Sequence, residues 1–114
     1  MESALVFEWR PTAAGGAMLK PALKAEFDTF FEAAAADGRV SGVKWLVSGN
    51  GDRLFLIVDG PSDSLGRITE NPAFINMKTM VQLSHADFHH SLCASGATVD
   101  TMLAVQEAAK AAAH

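Results

Sequence analysis

The feature that most constrains this fold is an unbroken apolar run, Leu54 to Val58, which has no polar position on either face of a strand. A strand of this kind is typical of the centre of a sheet, where both faces are covered. A second β-rich run, Val43 to Val47, precedes it, and the residues between them, "SGNGDR", are typical of a turn. The two runs therefore predict a β-hairpin with an interior second strand.

The N-terminal segment, residues 3–10, alternates with the two-residue period of a strand. Its first face consists of Leu5, Phe7 and Trp9, and its second of Val6, Glu8 and Arg10.

An amphipathic helix follows, with one apolar stripe and charged residues mostly outside it. Pro21 falls in the first turn, where its missing N–H is tolerated, and Gly38 suits the residue that ends a helix. The stripe consists of Leu19, Leu23, Phe27, Phe30, Phe31 and Ala34.

The second half of the chain predicts three further elements. A short helix is expected from a cap near Ser62 to the residue before Pro72, and residues 73–77 are expected to form a loop or a single turn. We interpret residues 78–90, "KTMVQLSHADFHH", mainly as a fourth strand. An alanine-rich helix over about residues 98–112, capped at Thr98 or nearby, ends the chain.

The predicted order is β-α-β-β-α-β-α, and its first six elements match the ferredoxin-like βαββαβ arrangement. The fold class is therefore α+β: one domain over residues 1–114, with a four-stranded antiparallel sheet and an extra C-terminal helix. Both crossover helices lie on one face of such a sheet. Because the run from Leu54 to Val58 is apolar on both sides, the other face is expected to be covered by a second copy of the chain.

Composition narrows the classes of function. The chain has 114 residues with a formal net charge of −4 and no cluster of basic residues, which argues against nucleic acid as a partner. Neither a leader pattern nor an apolar run of about 18 residues is present, so we expect a soluble, cytoplasmic protein without a membrane partner. Cys93 is the single cysteine, which excludes an intrachain disulfide.

Two stretches resemble the dimeric α/β-barrel superfamily, which includes muconolactone isomerase-like and antibiotic-biosynthesis monooxygenase-like proteins. One is "WLVSG", which is similar to a Trp-x-Val-x-Gly run of the isomerases and begins at Trp45. The other is Pro72, Phe74 and Met77, a P-x-F-x-x-M pattern that is followed by Val81, expected in the last strand. The resemblance covers roughly residues 3–90.

The resemblance implies a homodimer whose two sheets close into a barrel, with a pocket for a hydrophobic small molecule between sheet and helices. Catalysis in such proteins often needs no cofactor, and we expect none here. The sequence departs from the isomerase pattern after Val81, because "HADFHH" has no counterpart there. No catalytic residue is therefore transferred from the family.

Three histidines and an aspartate crowd into residues 85–90. On a strand His85, Asp87 and His89 share one face at intervals of about 6.6 Å. The outer pair is then roughly 13 Å apart, too far for both rings to bind one ion at about 2.1 Å. A helical segment would place them one turn apart, but Ala86 stands where the zinc-protease signature has glutamate. We predict no metal.

Acid–base chemistry fits the cluster better. Asp87 can orient the ring of His85 and raise its basicity, so this pair is the predicted catalytic site. His89 and His90 approach the expected strand end and should meet solvent. The alternative is that His85 is a hydrogen-bonded structural residue.

The predicted ligand-binding residues are Glu8, Trp45 and His89. Glu8 either pairs with Arg10 in a solvated or interfacial salt bridge or lines the cavity of a closed barrel. Trp45 is either a core residue or part of the ligand site. No glycine-rich phosphate loop, nucleophile elbow or tyrosine is present.

Two functions remain open from the sequence. The first is a small enzyme, an isomerase, cyclase or cofactor-independent monooxygenase, that acts on a hydrophobic, aromatic or polyketide-like molecule. The second is a non-catalytic dimeric module that binds a small molecule or a partner protein.

Overall fold

The computed structural model describes residues 2–10, 19–84 and 88–113, with the backbone alone at Ser84. Within these ranges the chain forms four strands and four helices. In chain order they are β1 (Glu2–Trp9), α1 (Pro21–Ala36), β2 (Gly42–Val47), β3 (Leu54–Pro61), α2 (Ser62–Thr69), α3 (Pro72–Ser84), β4 (Phe88–Ala94) and α4 (Ala97–Ala112).

The strands form one antiparallel sheet in the order β2-β3-β1-β4. The apolar run of β3 therefore lies in the interior of the sheet, as predicted, and the hairpin of β2 and β3 is confirmed. Across the centre, Phe7 of β1 is paired with Leu56 of β3 on one side and His90 of β4 on the other. This is the predicted α+β, ferredoxin-like fold.

The helix-facing side of the sheet carries the core. The predicted alternation of β1 is confirmed, since Leu5, Phe7 and Trp9 have no exposed surface. Every member of the predicted α1 stripe packs into the same core, with Phe30 partly buried at its edge. α1 ends as predicted, because Gly38 adopts the left-handed φ of 75° just past the helix.

Aromatic rings fill much of the layer between the sheet and the helices, with Phe7 at their centre. Its ring centroid lies 5.8 Å from that of Phe27, 5.9 Å from Phe31, 5.9 Å from Phe74 and 6.1 Å from Phe88. Aromatic pairs at these separations add to the stabilisation that burial of their surface already provides. This aromatic cluster ties β1, α1, α3 and β4 together.

The prediction of a strand over residues 78–84 is wrong, and so is that of a loop over residues 73–77. Both segments belong to α3, whose buried residues Phe74, Met77 and Val81 are 1%, 6% and 0% exposed. Their spacings of three and four residues place them on one side of a helix. Val81 therefore lies in this helix and not in the last strand.

The last strand lies later in the sequence than predicted. β4 spans Phe88–Ala94, so the element order is β-α-β-β-α-α-β-α. Helix starts also differ slightly from the prediction: the N-cap of α2 is Pro61, and that of α4 is Gly96, neither with a side-chain cap. Ser62, the expected cap, instead shares a short hydrogen bond with the Ser3 hydroxyl.

Among the described residues, α1, α2 and α3 pack on the helix-facing side of the sheet only. The opposite side is here called the uncovered face. The prediction that β3 is buried on both sides therefore holds on one side only in the single chain, where Phe55 and Ile57 are partly exposed. The uncovered face consists of Ala4, Val6, Glu8, Lys44, Leu46, Phe55, Ile57, Asp59, His89, Ser91 and Cys93. In the described ranges, no helix is both long and apolar enough to cross a membrane.

Candidate functional site

The predicted catalytic pair, His85 and Asp87, lies outside the described residues. Its role as a catalytic site therefore stays a prediction, and the structural findings concern the three predicted ligand-binding residues and the remaining histidine.

Glu8 and His89 are direct cross-strand partners on the uncovered face. Glu8 also pairs with two arginines, with its Oε1 atom 3.2 Å from Nε of Arg10 and 3.8 Å from Nε of Arg53. The predicted Glu8–Arg10 ion pair is confirmed. His89 is exposed, as predicted.

Trp45 lies on the other side of the sheet, toward the helices. Its indole N–H donates a 2.8 Å hydrogen bond to Oδ1 of Asp28 in α1, and Lys24 Nζ donates one of 2.8 Å to Oδ2 of the same carboxylate. The Lys24 ammonium lies 4.9 Å from the centroid of the Trp45 ring, within the range of cation–π attraction. Burial opposes the charge of Asp28, but these two hydrogen bonds and the charge of Lys24 leave its pKa below the ordinary value.

A groove of about 360 Å³ opens between α1 and β2 beside this hydrogen-bonded pair. Its wall is aromatic and apolar, and two carboxylates stand one helical turn apart on its α1 side. The lining residues are Asp28, Phe31, Glu32, Ala35, Val43 and Trp45. Trp45 is thus both a partly buried core residue and a cavity-lining one.

The structure does not bring the predicted ligand-binding residues together. Glu8 and His89 lie on the uncovered face, whereas Trp45 lies on the helix-facing side of β2, at the opposite edge of the sheet from β4. In a single chain they cannot line one site.

The histidine nearest to the core among the described residues is His90, which we expected to meet solvent. It is half-buried on the helix-facing side of β4. Its ring centroid lies 6.0 Å from Phe7, 6.1 Å from Phe74 and 6.2 Å from Phe88. The prediction failed because the strand was placed too early. The alternation of Phe88, His90 and Leu92 carries the correct signal.

The surroundings of His90 favour its neutral form. Burial among aromatic rings, and then the positive charge of Lys78, lower its pKa below the ordinary value of 6.5. Among the described residues its ring has no hydrogen-bond partner. A neutral imidazole offers one nitrogen that can accept a proton, which is the requirement for a general base near neutral pH.

A second polar group in the same layer also lacks a partner. Trp9 is fully buried, and its indole N–H has no acceptor within the described part of the chain. Its ring lies 4.9 Å from Phe88 and 5.7 Å from Trp45. A buried donor without an acceptor is unfavourable by about 1–3 kcal/mol, so this N–H is a candidate donor to a ligand oxygen.

A groove near this layer lies between α1 and α3, with a volume of about 510 Å³. That volume falls within the range of small-molecule pockets, about 300–1,000 Å³. Phe30 and Met77 form its apolar floor, and the Phe30 ring lies 6.2 Å from Phe74, which packs edge to face against His90. One aromatic ring thus separates the groove from the histidine.

In the residues that the structure describes, no three His, Cys, Asp or Glu side chains converge where they could hold a metal ion. The one cysteine, Cys93, is partly buried on the uncovered face and its sulfur lies 3.5 Å from the Ser91 hydroxyl.

Comparison with solved structures finds the same fold in other proteins. Rv0793 from Mycobacterium tuberculosis superposes with a TM-score of 0.65 at 16% identity, covering 84% of this chain and 96% of that one. A point mutant of SnoaB, a cofactor-independent oxygenase from Streptomyces nogalater, gives 0.61 at 15% identity, covering 82% and 92%. A candidate antibiotic biosynthesis monooxygenase from Chloroflexus aurantiacus gives 0.50 at 12% identity, covering 84% and 96%.

No family model matches the chain, and no curated protein matches it. The identities with the solved structures are low, so these matches establish the fold alone. They confirm the ferredoxin-like fold of the superfamily that the sequence resembles.

Proposed function

We propose that this chain is a small cytoplasmic homodimeric enzyme that uses His90 to remove a proton from a hydrophobic, aromatic or polyketide-like molecule, without a cofactor. Isomerases, cyclases and cofactor-independent monooxygenases can share this step, because a carbon that is next to a carbonyl group or conjugated with one through an aromatic ring can be deprotonated in each case. We therefore propose the shared deprotonation step. The structure of the substrate determines which product the carbanion gives.

The observation that carries the proposal is the position of His90. An imidazole that packs against three phenylalanine rings, faces the helix layer and stays neutral near pH 7 can accept a proton in an apolar setting. An apolar setting also favours an aromatic substrate, which can stack on the same rings. His89, the next residue, faces the opposite way and has none of these neighbours.

The chemistry after deprotonation balances without a cofactor. Return of the proton to another carbon gives isomerisation, and attack of the carbanion on a second carbonyl gives cyclisation. With molecular oxygen, anthrone is oxidised to anthraquinone and one water, the substrate itself supplying the electrons. SnoaB, which shares the fold, is a cofactor-independent oxygenase, and this supports including oxygenation in the proposal.

We place the substrate in the groove between α1 and α3, with Phe74 as the ring that must rotate for the substrate to reach His90. The volume of about 510 Å³ suits a two- or three-ring molecule. Once the substrate has entered the aromatic layer, the unpartnered N–H of Trp9 can donate to its carbonyl oxygen. Such a donor stabilises the negative charge that develops on that oxygen.

The His85–Asp87 pair remains a second proposed base. Replacement of His85 by alanine, measured beside replacement of His90, assigns the proton transfer to one of them or to neither.

The homodimer is part of the proposal because the uncovered face carries large apolar side chains. Leu46 is 44% exposed there, and Phe55 and Ile57 are partly exposed beside it. Burial of such a surface is favourable by about 25 cal/mol per Å². In a dimer closed through this face, Glu8 and His89 lie between the two copies, on the opposite side of the sheet from the groove proposed for the substrate.

Exchange of the acidic C–H hydrogens of anthrone in D₂O under argon tests the proposal. We expect the wild-type protein to accelerate exchange above the buffer rate. In His90→Gln this acceleration should be at least tenfold smaller than in the wild type. His89→Gln is the matched control and should exchange like the wild type. Oxygen uptake in air then shows whether the carbanion goes on to oxygenation. Equal rates for the two variants would reject His90 as the base.

The second candidate is a non-catalytic dimeric module. It is favoured by the exposed apolar residues of β2, where Val47 is 62% exposed at the edge of the sheet. A protein of this kind binds 1-naphthol or another aromatic probe but gives neither exchange nor oxygen uptake with anthrone.

A further inference from the structure

The C-terminal helix α4 has almost no packing against the other residues that the structure describes. Of its 16 residues only Thr98, in the first turn, is buried. Its larger apolar residues are exposed: Val99 by 38%, Met102 by 48%, Leu103 by 57% and Val105 by 64%. Isolated helices of about this length are marginally stable in water, because helix stability in proteins comes mostly from packing. The helix therefore lacks the contacts that normally stabilise such an element.

The chain is more extended than a compact domain of its length, as expected if α4 packs on another molecule. The radius of gyration is 16.2 Å, whereas a compact domain of this length has about 13 Å. The accessible surface is 6864 Å², whereas a compact monomer of this mass has about 6,000 Å². The excess, about 800 Å², is surface that a compact monomer of this mass would bury, and it is of the same order as the area that one partner buries in a standard protein–protein interface.

α4 starts at the margin of the uncovered face. The backbone N–H of Ser95, just before the helix, donates to the carbonyl oxygen of Glu2 at 3.3 Å. Glu2 is in line with Ala4 and Val6 on that face, and α4 contacts only β1 and β4 of the sheet among the element pairs in close contact. A molecule that docks on the uncovered face therefore meets α4 at its edge.

Three of the four larger apolar residues of α4 lie on one side of its first two turns, and Val105 lies outside that side. Val99, Met102 and Leu103 are related by steps of three and four residues, which places them on a common face. Asp100 and Ala104 lie on the other side. The first two turns of the helix thus present an apolar packing side and, around Asp100 and Ala104, a solvent side.

We propose that α4 is a clasp, whose Val99–Met102–Leu103 side packs on a second copy of this chain beside the uncovered face. The inference rests on the homodimer of the proposed function and names a further element of its interface. A second copy is the occupant because one two-fold contact covers both unpartnered surfaces of each chain at once. The uncovered face also carries both signs of charge, with Lys44 near Asp59 and Glu8 nearby, so a rotated copy can match opposite charges.

Sedimentation equilibrium of the full-length chain and two neighbouring variants tests the clasp. Leu103→Glu places a charge on the packing side, and we expect it to raise the dimer dissociation constant at least tenfold. Ala104→Glu, the matched control, places the same charge on the solvent side and should stay within about twofold of the wild type. Circular dichroism melting shows whether both variants keep the fold, and Met102→Glu provides a second test on the packing side.

A further variant separates failure of the clasp from failure of the sheet contact. Ile57→Glu alters the uncovered face alone. If Ile57→Glu weakens the dimer but Leu103→Glu and Met102→Glu leave it unchanged, the clasp is wrong and the dimer of the proposed function stands. If Leu103→Glu weakens the dimer but Ile57→Glu does not, the clasp stands and the sheet contact is wrong. A wild-type chain that is monomeric at 100 µM, a concentration on the order of 100 times a micromolar dissociation constant, overturns both.

Discussion

Trp45 of the edge strand β2 donates a hydrogen bond of 2.8 Å from its indole N–H to Oδ1 of Asp28 in α1. This bond connects β2 to the helix layer. The same indole stacks on Trp9 of β1, 5.7 Å between centroids. Because β2 has a sheet neighbour on one side only, this bond and this stacking hold its free edge against the core.

Trp45→Phe should lower the free energy of unfolding by about 1–2 kcal/mol, since it removes one hydrogen bond to a charged group and part of a buried ring. Urea unfolding measures this loss. The same substitution in an Asp28→Asn background should lose less than half as much, because the charged acceptor is already gone. Equal losses in the two backgrounds would mean that the bond contributes nothing beyond ring packing.

Phe74→Ala should destabilise the protein by about 3–5 kcal/mol, because the ring is 1% exposed and lies in the aromatic cluster. Ile75→Ala is the control from the next position, where the side chain is 47% exposed, and should change stability by less than about 1 kcal/mol. Thermal melting of the two variants compares them. Similar losses would contradict the orientation of α3.

Stability should fall as the pH falls below the ordinary histidine pKa of about 6.5. The pKa of His90 is lowered in the folded chain by burial and by Lys78. The unfolded chain therefore takes up a proton at this residue before the folded chain does, and the stability present above pH 6.5 is lost as pH decreases. His90→Gln should make the decline from pH 7.5 to pH 5 shallower in urea titrations. An unchanged slope would show that His90 is not shielded from water.

The contrast between confirmed and wrong predictions has a physical origin. The alternation of β1 and the stripe of α1 are strong periodic signals, and burial follows them residue by residue. The segment before β4 carries two competing patterns. Its β-branched and polar alternation suggests a strand, whereas Phe74, Met77 and Val81 have helical spacing, and burial of these three decides the outcome.

The misplaced strand had a direct consequence for the candidate site. Assigning the strand to residues 78–90 made His85 the deepest histidine and His90 a terminal one. With β4 at Phe88–Ala94, His90 is instead the third residue of the strand and directly opposite Phe7. The register of β4 against β1 cannot be obtained from the local sequence, because it depends on pairing over a long sequence separation.

Leu46→Glu, on the uncovered face, should convert the proposed dimer to a monomer at micromolar concentration, since it buries a charge in an apolar contact. Leu83→Glu on α3 is the control, because that side chain is 84% exposed and distant from the sheet face. Light scattering gives the mass of each variant relative to the 12.1 kDa chain. Identical masses for the two variants would locate the interface elsewhere.

The central claim, a neutral His90 beside a small-molecule site, is tested most directly by nuclear magnetic resonance of ¹⁵N-histidine-labelled protein titrated with 1-naphthol. The ring signal of His90, assigned through its loss in His90→Gln, should show a neutral imidazole at pH 7 and shift on addition of the ligand. The signal of His89, on the opposite face of β4, should not shift. A His90 ring that is protonated at pH 7, or that does not respond while the protein binds 1-naphthol, would contradict the account.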